Sequence, residues 1–344
     1  IYKKIFPDIL IVARDRHIGL SLALIRKMNS MGKPSLQIPW GFVNISFLIA
    51  SREHDKRNQL KIKETSIIQK LLLFRKSKHI IKYGNKFYSY LKPGKTIAAF
   101  LSNLYPENPW VFGSEVDICL LDNLESKKIL INNGVKKEKL EVTGNQIHDT
   151  LFYSKQNKFE QKRFFQRKYN LYKKKIFVIA LPHLAEHKLM SWNQHWEEIE
   201  YIIESFNNIK DCNLILSLHP RCDLKFYRQK LAYLDIPIAS EPLKSLLPIG
   251  DYFACHWSGT TTWGLLLDIP TLIMDWYGVP NLGFEFLIDK VLIVKEKKDL
   301  SSSIDYIIKN EKRYIKLNDF CKFDGKSTQR VVKKISQSIK KNIN

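Results

Sequence analysis

The sequence predicts two α/β domains, each a doubly wound sheet of parallel strands. The chain has 344 residues, more than one compact core usually holds. Hydrophobic residues make up 44% of it and charged residues 26%, as in folded globular proteins and unlike disordered or fibrous chains. Short apolar runs bounded by turn residues alternate with helix-like periods, which is the pattern of successive βα units. No repeat of solenoid period is visible, so this alternation indicates two domains of ordinary size.

The first domain is predicted over residues 1–154. Its strands are expected at 9–13, 35–38, 116–121 and 140–143, and its helices at 19–31 and 124–133. Gly134 follows the second helix and fits the C′ position at which glycine ends helices. A nucleotide-binding half usually opens with a strand and a glycine-rich turn, and neither precedes residue 9. The chain also lacks an initiator Met, so we expect the N-terminal domain to be truncated.

A basic, aromatic stretch over residues 155–175 is interpreted as the linker between the domains. The second domain is predicted over 176–310 and a basic C-terminal tail over 311–344. Strands of the second domain are expected at 176–181, 213–218, 236–239, 252–256, 271–274 and 291–294. Its helices are expected at 192–206, 224–234 and 261–267, with a last one running through residue 308.

The formal net charge of +22 is concentrated in three segments. Residues 52–95 carry a net +10, residues 155–175 a net +8 and residues 309–344 a net +8, so the rest of the chain is close to neutral. Residues 67–90 mix Leu, Ile and aromatic residues with Lys at spacings compatible with an amphipathic helix, which can lie on an anionic membrane surface. Membrane docking and compositional drift toward Lys both stay open, because Lys outnumbers Arg 44 to 12.

Several classes of protein are disfavoured by what the sequence lacks. No apolar run reaches the length of a bilayer crossing, and the N-terminus leads straight into a strand pattern rather than a signal peptide. No helix-turn-helix, zinc-finger or RNP-type signature is found, so no nucleic-acid partner is expected. The five cysteines form no CxxC pair, which indicates neither a disulfide framework nor a zinc knuckle and favours the reducing cytoplasm.

Two turns of the second domain carry the strongest candidates for chemistry. His219, Pro220 and Arg221 follow the strand predicted at 213–218, where ligands of parallel sheets bind, and can donate hydrogen bonds to a diphosphate. The other turn follows the strand at 252–256 and opens a helix, so its hydroxyls and free N–H groups suit an anion. The alternatives are a solvent-facing loop and plain helix capping. The candidate residues of this second turn are Ser258, Gly259, Thr260, Thr261 and Thr262.

Weaker candidates lie at three other strand ends. His183 follows the first strand of the second domain and could contact phosphate or sugar. His183 and His187 have the HxxxH spacing of metal ligands, but no third ligand follows in sequence. Asp15 and His17 follow the first strand of the chain, where either could act as general base toward an acceptor hydroxyl; capping of the next helix by Asp15 is the alternative.

The last candidate turn closes the first domain. Gly144 and Asn145 follow its final predicted strand and suggest a tight turn facing the cleft between the domains.

Taken in order from about residue 5 to residue 300, these motifs resemble the two-domain nucleotide-sugar enzymes of the GT-B fold. The similarity is to a broad group that contains UDP-N-acetylglucosamine 2-epimerases, CDP-glycerol glycerophosphotransferases and capsular or surface-polysaccharide transferases. Residues 134–145 and Asp149 resemble the end of the group's N-terminal domain, and residues 218–221 resemble its HP motif. Residues 258–262 with 268–271 resemble its hydroxyl-rich phosphate loop and the following strand.

Two early segments complete the resemblance. Residues 14–16 occupy the place of a "GDR" strand end, and residues 38–41, which include Trp40 and Gly41, occupy that of an "HGG"-like turn. The sequence departs from the epimerases at Trp263 and Gly264, which stand where those enzymes carry a pair of glutamates. Of their acidic catalytic set only Asp15, with Glu53 as a second candidate, can be matched, which favours a transferase over an epimerase.

The resemblance implies two Rossmann-like domains and a nucleotide-activated sugar as substrate, with neither cofactor nor metal. The C-terminal domain would bind the donor through His183, His219, Arg221 and the hydroxyl turn, assisted by Gly144 and Asn145. The N-terminal domain would present a glycan or lipid-linked acceptor near Trp40 and Gly41, with Asp15 or His17 as base. The sequence therefore predicts a cytoplasmic glycosyltransferase-like enzyme of surface-polysaccharide synthesis, with an anionic membrane surface as a candidate partner. An epimerase and a non-catalytic nucleotide-sugar-binding protein are the alternatives.

Overall fold

The computed structural model of the chain describes residues 7–16, 19–39, 48, 77–83, 85–187, 189–277, 284–311 and 320–343. It divides into two compact units. Unit 1 comprises Ile1–Gln146 and Asp319–Asn344, and unit 2 comprises Ile147–Asn318. The division falls a few residues before the boundary predicted at 154, and it assigns the C-terminal segment to unit 1 rather than to a separate tail.

Strands and helices alternate along most of the described chain. The strands are β1 (Leu10–Val12), β2 (Ser35–Gln37), β3 (Ile80–Tyr83), β4 (Lys86–Ser89), β5 (Ile118–Leu121), β6 (Leu140–Val142), β7 (Lys175–Ala180), β8 (Cys212–Ser217), β9 (Tyr252–Cys255), β10 (Thr271–Met274) and β11 (Leu292–Val294). The α-helices are α1 (Leu20–Ser30), α2 (Pro93–Leu101), α3 (Leu124–Asn132), α4 (Gln146–Gln156), α5 (Lys158–Lys168), α6 (Trp192–Asn207), α7 (Leu224–Lys230), α8 (Leu243–Leu246), α9 (Thr261–Leu266), α10 (Leu300–Lys309) and α11 (Ser327–Ile343).

Unit 1 contains a parallel sheet in the order β1-β2-β5-β6. One face of this sheet buries Ile25 of α1 together with Cys119 and Leu121 of β5. The prediction of α3 is confirmed, and Gly134 just beyond it adopts the left-handed φ of 84° that a helix-ending glycine takes. The carboxyl ends of these strands are where unit 1 carries its predicted site residues.

The C-terminal segment is a helix packed on unit 1, and the prediction of a basic tail over 311–344 missed it. Val331 and Ile335 of α11 lie against Leu36 and Leu120 on the second face of the sheet. Apolar residues four positions apart share one face of a helix, and the basic residues between them occupy its other sides. The charge of this segment therefore masked an amphipathic helix.

The helix predicted over residues 67–90 is contradicted in its second half. Strands β3 and β4 pair there as an antiparallel hairpin, while residues 67–76 lie outside the described part of the chain. Tyr88 is buried against Trp110, whereas its neighbour Phe87 is half exposed. This alternation has the period of a strand, and burial of the Tyr88 ring against Trp110 favours the strand over the predicted helix.

The segment predicted as a linker, residues 155–175, is largely helical and belongs to unit 2. It contains the end of α4, all of α5 and the first residue of β7. Lys162 of α5 lies 2.6 Å from a carboxylate oxygen of Asp251, and Phe165 is buried. These contacts hold the segment against the body of unit 2, which a charged sequence without strand character did not reveal.

Unit 2 is built on five parallel strands in the order β11-β10-β9-β7-β8, so that β9 is the central strand and β7 lies between β9 and β8. Its core includes Phe177 of β7, Phe206 of α6 and Ala254 of β9. The strand predicted at 236–239 is reduced to one bridge between Leu216 and Ile238.

Among the described residues, no helix combines the length and the apolar character needed to cross a bilayer.

Candidate active site

Three polar turns meet at one edge of the unit 2 sheet. Strands β9, β7 and β8 are parallel neighbours, so the turns that follow them lie at the same carboxyl edge. His183 lies in the turn after β7, His219 in the turn after β8 and His256 at the start of the turn after β9. The turn after β7 therefore stands between the two turns that the sequence singled out.

The histidines of these turns are in contact through His183. Its ring stacks on that of His219, with centroids 3.9 Å apart and planes within 5° of parallel. The ring of His256 lies 5.4 Å away on another side, and that of His187 lies 4.5 Å away. The HxxxH pair thus belongs to a cluster of four histidines at the sheet edge.

The cluster is held in the neutral form at pH 7. Burial lowers the pKa of His183 to about 3, helped by the neighbouring His219, His256, His187 and Arg221. Burial, with His219 and His187 nearby, lowers the pKa of His256 to about 4. The pKa values of His219 and His187 are lowered by burial and by Arg221, against the opposing carboxylate of Glu186. Neutral imidazoles can each donate one hydrogen bond to a ligand and accept another.

The backbone fixes which nitrogen of His219 can donate. The backbone N–H of Arg221 donates to Nδ1 of His219 over 3.2 Å. A neutral ring that accepts at Nδ1 carries its proton at Nε2, so His219 offers an N–H donor at its other end. The Arg221 side chain is exposed and makes no ion pair within the described part of the chain. Together these two residues present a donor and a positive charge that suit a diphosphate.

The hydroxyl turn after β9 divides into groups that shape the loop and groups that remain at its surface. Thr261 is fully buried and its Oγ1 accepts from the backbone N–H of Ser258 at 3.4 Å. The hydroxyl of Thr262 donates to the carbonyl of Gly259 at 2.7 Å. The hydroxyls of Thr261 and Thr262 are thus engaged inside the turn, and a phosphate contact from either residue stays a prediction.

Ser258, Gly259 and Thr260 form the accessible part of this turn. The hydroxyls of Ser258 and Thr260 lie 2.6 Å apart and are only half buried. Gly259 is exposed, and a Cβ at this position would meet no atom within 4 Å. A ligand can therefore approach the backbone of Gly259 directly. Helix α9 has six residues, so its dipole adds little to these groups.

The departure at Trp263 and Gly264 has a packing reason. A Cβ on Gly264 would lie 2.4 Å from Oγ1 of Thr271 and 3.1 Å from the ring of Phe253. Only glycine lets α9 pack this closely on β9 and β10. A glutamate at position 264 would therefore require the helix to move.

Sequence reasoning missed the roles of His256 and Glu186. Glu186 Oε1 accepts from the Tyr227 hydroxyl at 2.7 Å, and that hydroxyl lies 2.6 Å from Nε2 of the buried His195. Glu186 and Arg221 both line an open pocket of about 440 Å³ whose other walls include Trp192. The signal for His256 is its position directly after a strand. Nothing local links Glu186 to Tyr227, which lies 41 positions along the chain, or links Tyr227 to His195.

In unit 1, one carboxylate oxygen of Asp15 is bonded to the backbone, and its catalytic role stays a prediction. It is fully buried, and its Oδ2 accepts from the backbone N–H groups of Gly113 at 2.9 Å and Glu115 at 3.0 Å. Burial raises the pKa of Asp15 while these hydrogen bonds oppose the rise. It does not cap α1 either, because Gly19 is the capping residue. His17, Trp40, Gly41 and Glu53 lie outside the described residues.

Gly144 also has a packing reason in unit 1. Its φ is 82°, and a Cβ there would lie 2.4 Å from Oγ of Ser327 at the start of α11. The neighbouring Thr143 carbonyl accepts from Nε of Arg330 at 2.7 Å. The turn that includes Asn145 thus packs against the start of α11. A phosphate contact from Gly144 or Asn145 stays a prediction.

No group of three or more His, Cys, Asp or Glu side chains among the described residues is arranged to hold a metal ion. In the histidine cluster, the stacked rings of His183 and His219 lie face to face, so their lone pairs do not converge on one point. Action without a metal remains an expectation of the sequence.

Comparison with known proteins defines the class of fold. No family model and no curated protein matches the sequence. Among solved structures, the wall teichoic acid polymerase TagF, in a variant soaked with CDPG, matches with a TM-score of 0.59 and 15% identity over 98% of this chain and 74% of that one. Two other solved structures match as well.

The MnaA–UDP co-structure from S. aureus has a TM-score of 0.56 and 15% identity, over 98% of this chain and 78% of that one. The UDP-GlcNAc 2-epimerase from Methanocaldococcus jannaschii has a TM-score of 0.55 and 17% identity, over 98% of this chain and 79% of that one. These are GT-B nucleotide-sugar enzymes, the group that the sequence resembles. The chain therefore has a GT-B fold with two Rossmann-like units. At these identities the similarity defines the fold alone.

Proposed function

We propose that the chain is a GT-B-type transferase that moves a sugar, or a related polyol phosphate, from a nucleotide-activated donor to a surface-polysaccharide acceptor. One observation carries this proposal. The His219–Arg221 turn and the Ser258–Thr260 turn lie at one edge of the unit 2 sheet, with His183 stacked on His219 between them. Donors, a positive charge and hydroxyls at one edge suit a diphosphate.

The same groups would assist departure of the nucleotide, which leaves as a nucleoside diphosphate when a sugar is transferred and as a nucleoside monophosphate when a polyol phosphate is transferred. Negative charge develops on the leaving nucleotide as its bond to the transferred group breaks, and donors aimed at that charge lower the barrier. His219 would donate from Nε2, Arg221 would supply the charge, and Ser258 with Thr260 would bind the second phosphate. This chemistry needs no metal or organic cofactor.

The acceptor side of the proposal is carried by the sequence. His17, Trp40 and Gly41 keep their proposed roles near the acceptor, with His17 as the base. Asp15 stays the alternative base, although one of its carboxylate oxygens is bonded to the backbone. A glycan or lipid-linked acceptor would meet the enzyme in the cytoplasm at the inner face of the plasma membrane, as an enzyme of capsule or cell-envelope synthesis, and the basic segment 52–95 is proposed to dock there.

An epimerase acting on UDP-N-acetylglucosamine is the second candidate, because MnaA and a UDP-GlcNAc 2-epimerase share the fold nearly as well as TagF. Gly264, in the place of an acidic residue, weighs against it. Incubation of the protein with UDP-N-acetylglucosamine and no acceptor separates the two functions. Release of UDP and N-acetylmannosamine would establish the epimerase and contradict the transferase.

The proposed function is tested by donor binding. A thermal-shift panel of UDP-, CDP-, CMP- and GDP-linked donors should contain one that raises the midpoint of unfolding, because a ligand that binds only the folded state stabilises it. Replacement of Arg221 by Gln should weaken the affinity for that donor about 10- to 100-fold, as expected for a hydrogen bond to a charged group.

The matched control is Lys230→Gln, which removes an exposed charge of the same unit. It should leave the donor affinity unchanged. If no donor shifts the midpoint, or if both substitutions weaken binding alike, the assignment of this edge as a diphosphate site is overturned. Binding without any acceptor or hydrolysis product would indicate the non-catalytic nucleotide-sugar-binding protein.

A further inference from the structure

Helix α5 has an inner face that is tied to unit 2. Lys158 donates from Nζ to the carbonyl of Gly250 at 2.9 Å, and Lys162 lies 2.6 Å from Asp251. Phe165 on the same side is 5% exposed. The helix is thereby fixed, so the side chains on its other face have a defined position.

The outer face of α5 combines exposed aromatic rings with arginines. Phe159 is 73% exposed and Phe164 is 59% exposed. Residues 159, 163 and 167 follow at intervals of four and therefore share a helix face. Arg163 and Arg167 are exposed and make no ion pair with any residue that the structure describes. The guanidinium of Arg163 lies 5.7 Å from the ring of Phe159, so charge and ring stand side by side.

The lysines and the arginines of α5 have different contacts, which argues that the positive charge of its outer face is not simply the result of compositional drift toward Lys. Its lysines 158 and 162 bind groups of unit 2, and Lys168 pairs with Glu241. Its two arginines point away from such partners. Lys168 also reaches this side, with its Nζ 6.0 Å from the ring of Phe164, but its charge is paired, so the unpaired cations of the outer face are both Arg in a chain with 44 Lys and 12 Arg.

Exposed phenylalanine rings next to arginines match the interface of an anionic bilayer. The rings gain by leaving water for the boundary between headgroups and acyl chains, and the guanidinium groups are attracted by the negative headgroups. A single-stranded nucleic acid offers the same charge. However, it is usually bound along a positively charged groove, whereas this face is the outer side of one short helix.

We infer that the outer face of α5, formed by Phe159, Arg163, Phe164 and Arg167, is a docking surface for anionic lipid. This surface is distinct from the basic segment 52–95 and does not depend on the proposed transfer reaction. The exposed Glu160 lies among these residues and reduces the net charge of the face. Binding therefore needs both the rings and the arginines.

The experiment is sedimentation of the full chain with vesicles. Equimolar phosphatidylcholine and phosphatidylglycerol should bind the wild-type protein, vesicles of phosphatidylcholine alone should bind it weakly, and added salt should release it. The double substitution Arg163→Gln and Arg167→Gln should weaken partitioning about 30-fold, as the loss of two interfacial charges implies. The double substitution Phe159→Ser and Phe164→Ser should weaken it at least about tenfold.

Two controls make the result specific. Lys210→Gln with Lys230→Gln removes the same charge from exposed positions of unit 2 outside α5 and should change partitioning little. Donor-induced thermal shifts of the α5 variants should match the wild type, which separates failure of this surface from failure of the proposed function. Arg163→Gln alone serves if a double variant does not fold.

Other outcomes overturn the inference. Equal binding by the α5 variants and the wild type would assign the docking to another surface, such as segment 52–95. A change in oligomeric state on replacing the phenylalanines, with vesicle binding unchanged, would make this face an interface between copies of the chain. Binding to single-stranded RNA that is lost with the arginines, while vesicles are ignored, would assign it to nucleic acid.

Discussion

The carboxyl edges of the two parallel sheets carry polar side chains that are used in opposite ways. At the unit 1 edge, Asp15 Oδ2 accepts from two backbone N–H groups and Asn123 accepts from the N–H of Ser126 at 2.7 Å as the cap of α3, while Asp15 Oδ1 and Asn123 Nδ2 are buried without a partner among the described residues. At the unit 2 edge, Nδ1 of His183 and Nδ1 of His256 are buried without a hydrogen-bond partner among the described residues. Arg221 has no acidic partner there either.

Both edges therefore retain buried polar atoms without a partner, but at the unit 2 edge these atoms belong to histidines that contact one another beside the exposed Arg221. A buried polar atom without a partner costs free energy, which a structure retains where something else supplies the partner. We therefore expect ligand binding at the unit 2 edge and a mainly structural role for the hydrogen bonds of Asp15 and Asn123 at the unit 1 edge. Substitutions at the two edges should have opposite consequences.

The largest effect is expected at His219. His219→Asn keeps an acceptor near Nδ1 for the N–H of Arg221 but removes the donor at Nε2, so turnover of the donor found by the binding panel should fall about 10²- to 10³-fold. His219→Gln places an amide N–H near the Nε2 position and should retain more activity than the Asn variant. Steady-state rates of nucleotide release, as nucleoside diphosphate for a sugar donor and as monophosphate for a polyol-phosphate donor, measure both.

The thermal midpoints of both His219 variants should stay close to that of the wild type, because the ring is only half buried. Equal loss in the two variants would mean that the Nε2 donor is not what matters. Unchanged turnover in both would remove His219 from the site.

At the other edge, Asp15→Ala should destabilise the fold without affecting donor binding. Two buried backbone N–H groups lose their acceptor, so the free energy of unfolding should fall by about 1–3 kcal/mol in chemical denaturation. Asp8→Ala, at an exposed aspartate whose nearest cation lies 3.6 Å away, is the control and should change it by less than about 0.5 kcal/mol. If Asp15→Ala left stability intact and abolished turnover, the catalytic role predicted from the sequence would be supported.

The smallest effect is a dependence of donor affinity on pH. In the free site the pKa of His183 is about 3 and that of His256 about 4, both below the ordinary 6.5. A bound diphosphate favours the charged imidazoles and raises these values, so binding takes up protons. Affinity should therefore rise as pH falls from 7 toward 5, by at most about tenfold per pH unit for each proton taken up. Titration calorimetry at several pH values measures it.

The unliganded protein should respond to acid in the opposite direction. The unfolded chain binds protons on these histidines near pH 6.5 and the folded one only near pH 3 to 4, so stability is lost as pH falls through that interval. Donor affinity that is flat or that weakens on acidification would contradict the proposed contact between the histidines and phosphate. His183→Gln should flatten the dependence if His183 is one of the groups that titrate.

Much of the fold was predictable because its signals are local. Three features predict their structure from a few neighbouring residues: the apolar run of β7, the hydroxyl turn before α9 and the glycine after α3. The helix α11 and the hairpin of β3 and β4 were missed because their choice depends on burial against distant residues. Val331 of α11 meets Leu120, and Tyr88 of β4 meets Trp110.

The candidate site was predicted in its parts. His183, His219, Arg221 and Ser258 follow strands directly, and a turn after a parallel strand suffices to nominate them. Asp15 has the same position, but its Oδ2 is bound by backbone N–H groups of residues 98 and 100 positions away, which the sequence did not predict. Position after a strand therefore nominates a residue, and its hydrogen-bond partners decide its use.

The sequence by itself determined the two α/β domains and the polar residues at each strand end, since hydrophobic periodicity and turn chemistry are properties of neighbouring residues. Only the tertiary structure decided that β7 lies between β8 and β9, which stacks His183 on His219 and brings His256 beside it. Strand order depends on packing among segments tens of residues apart. It therefore also decided which of these polar groups lie side by side at one sheet edge.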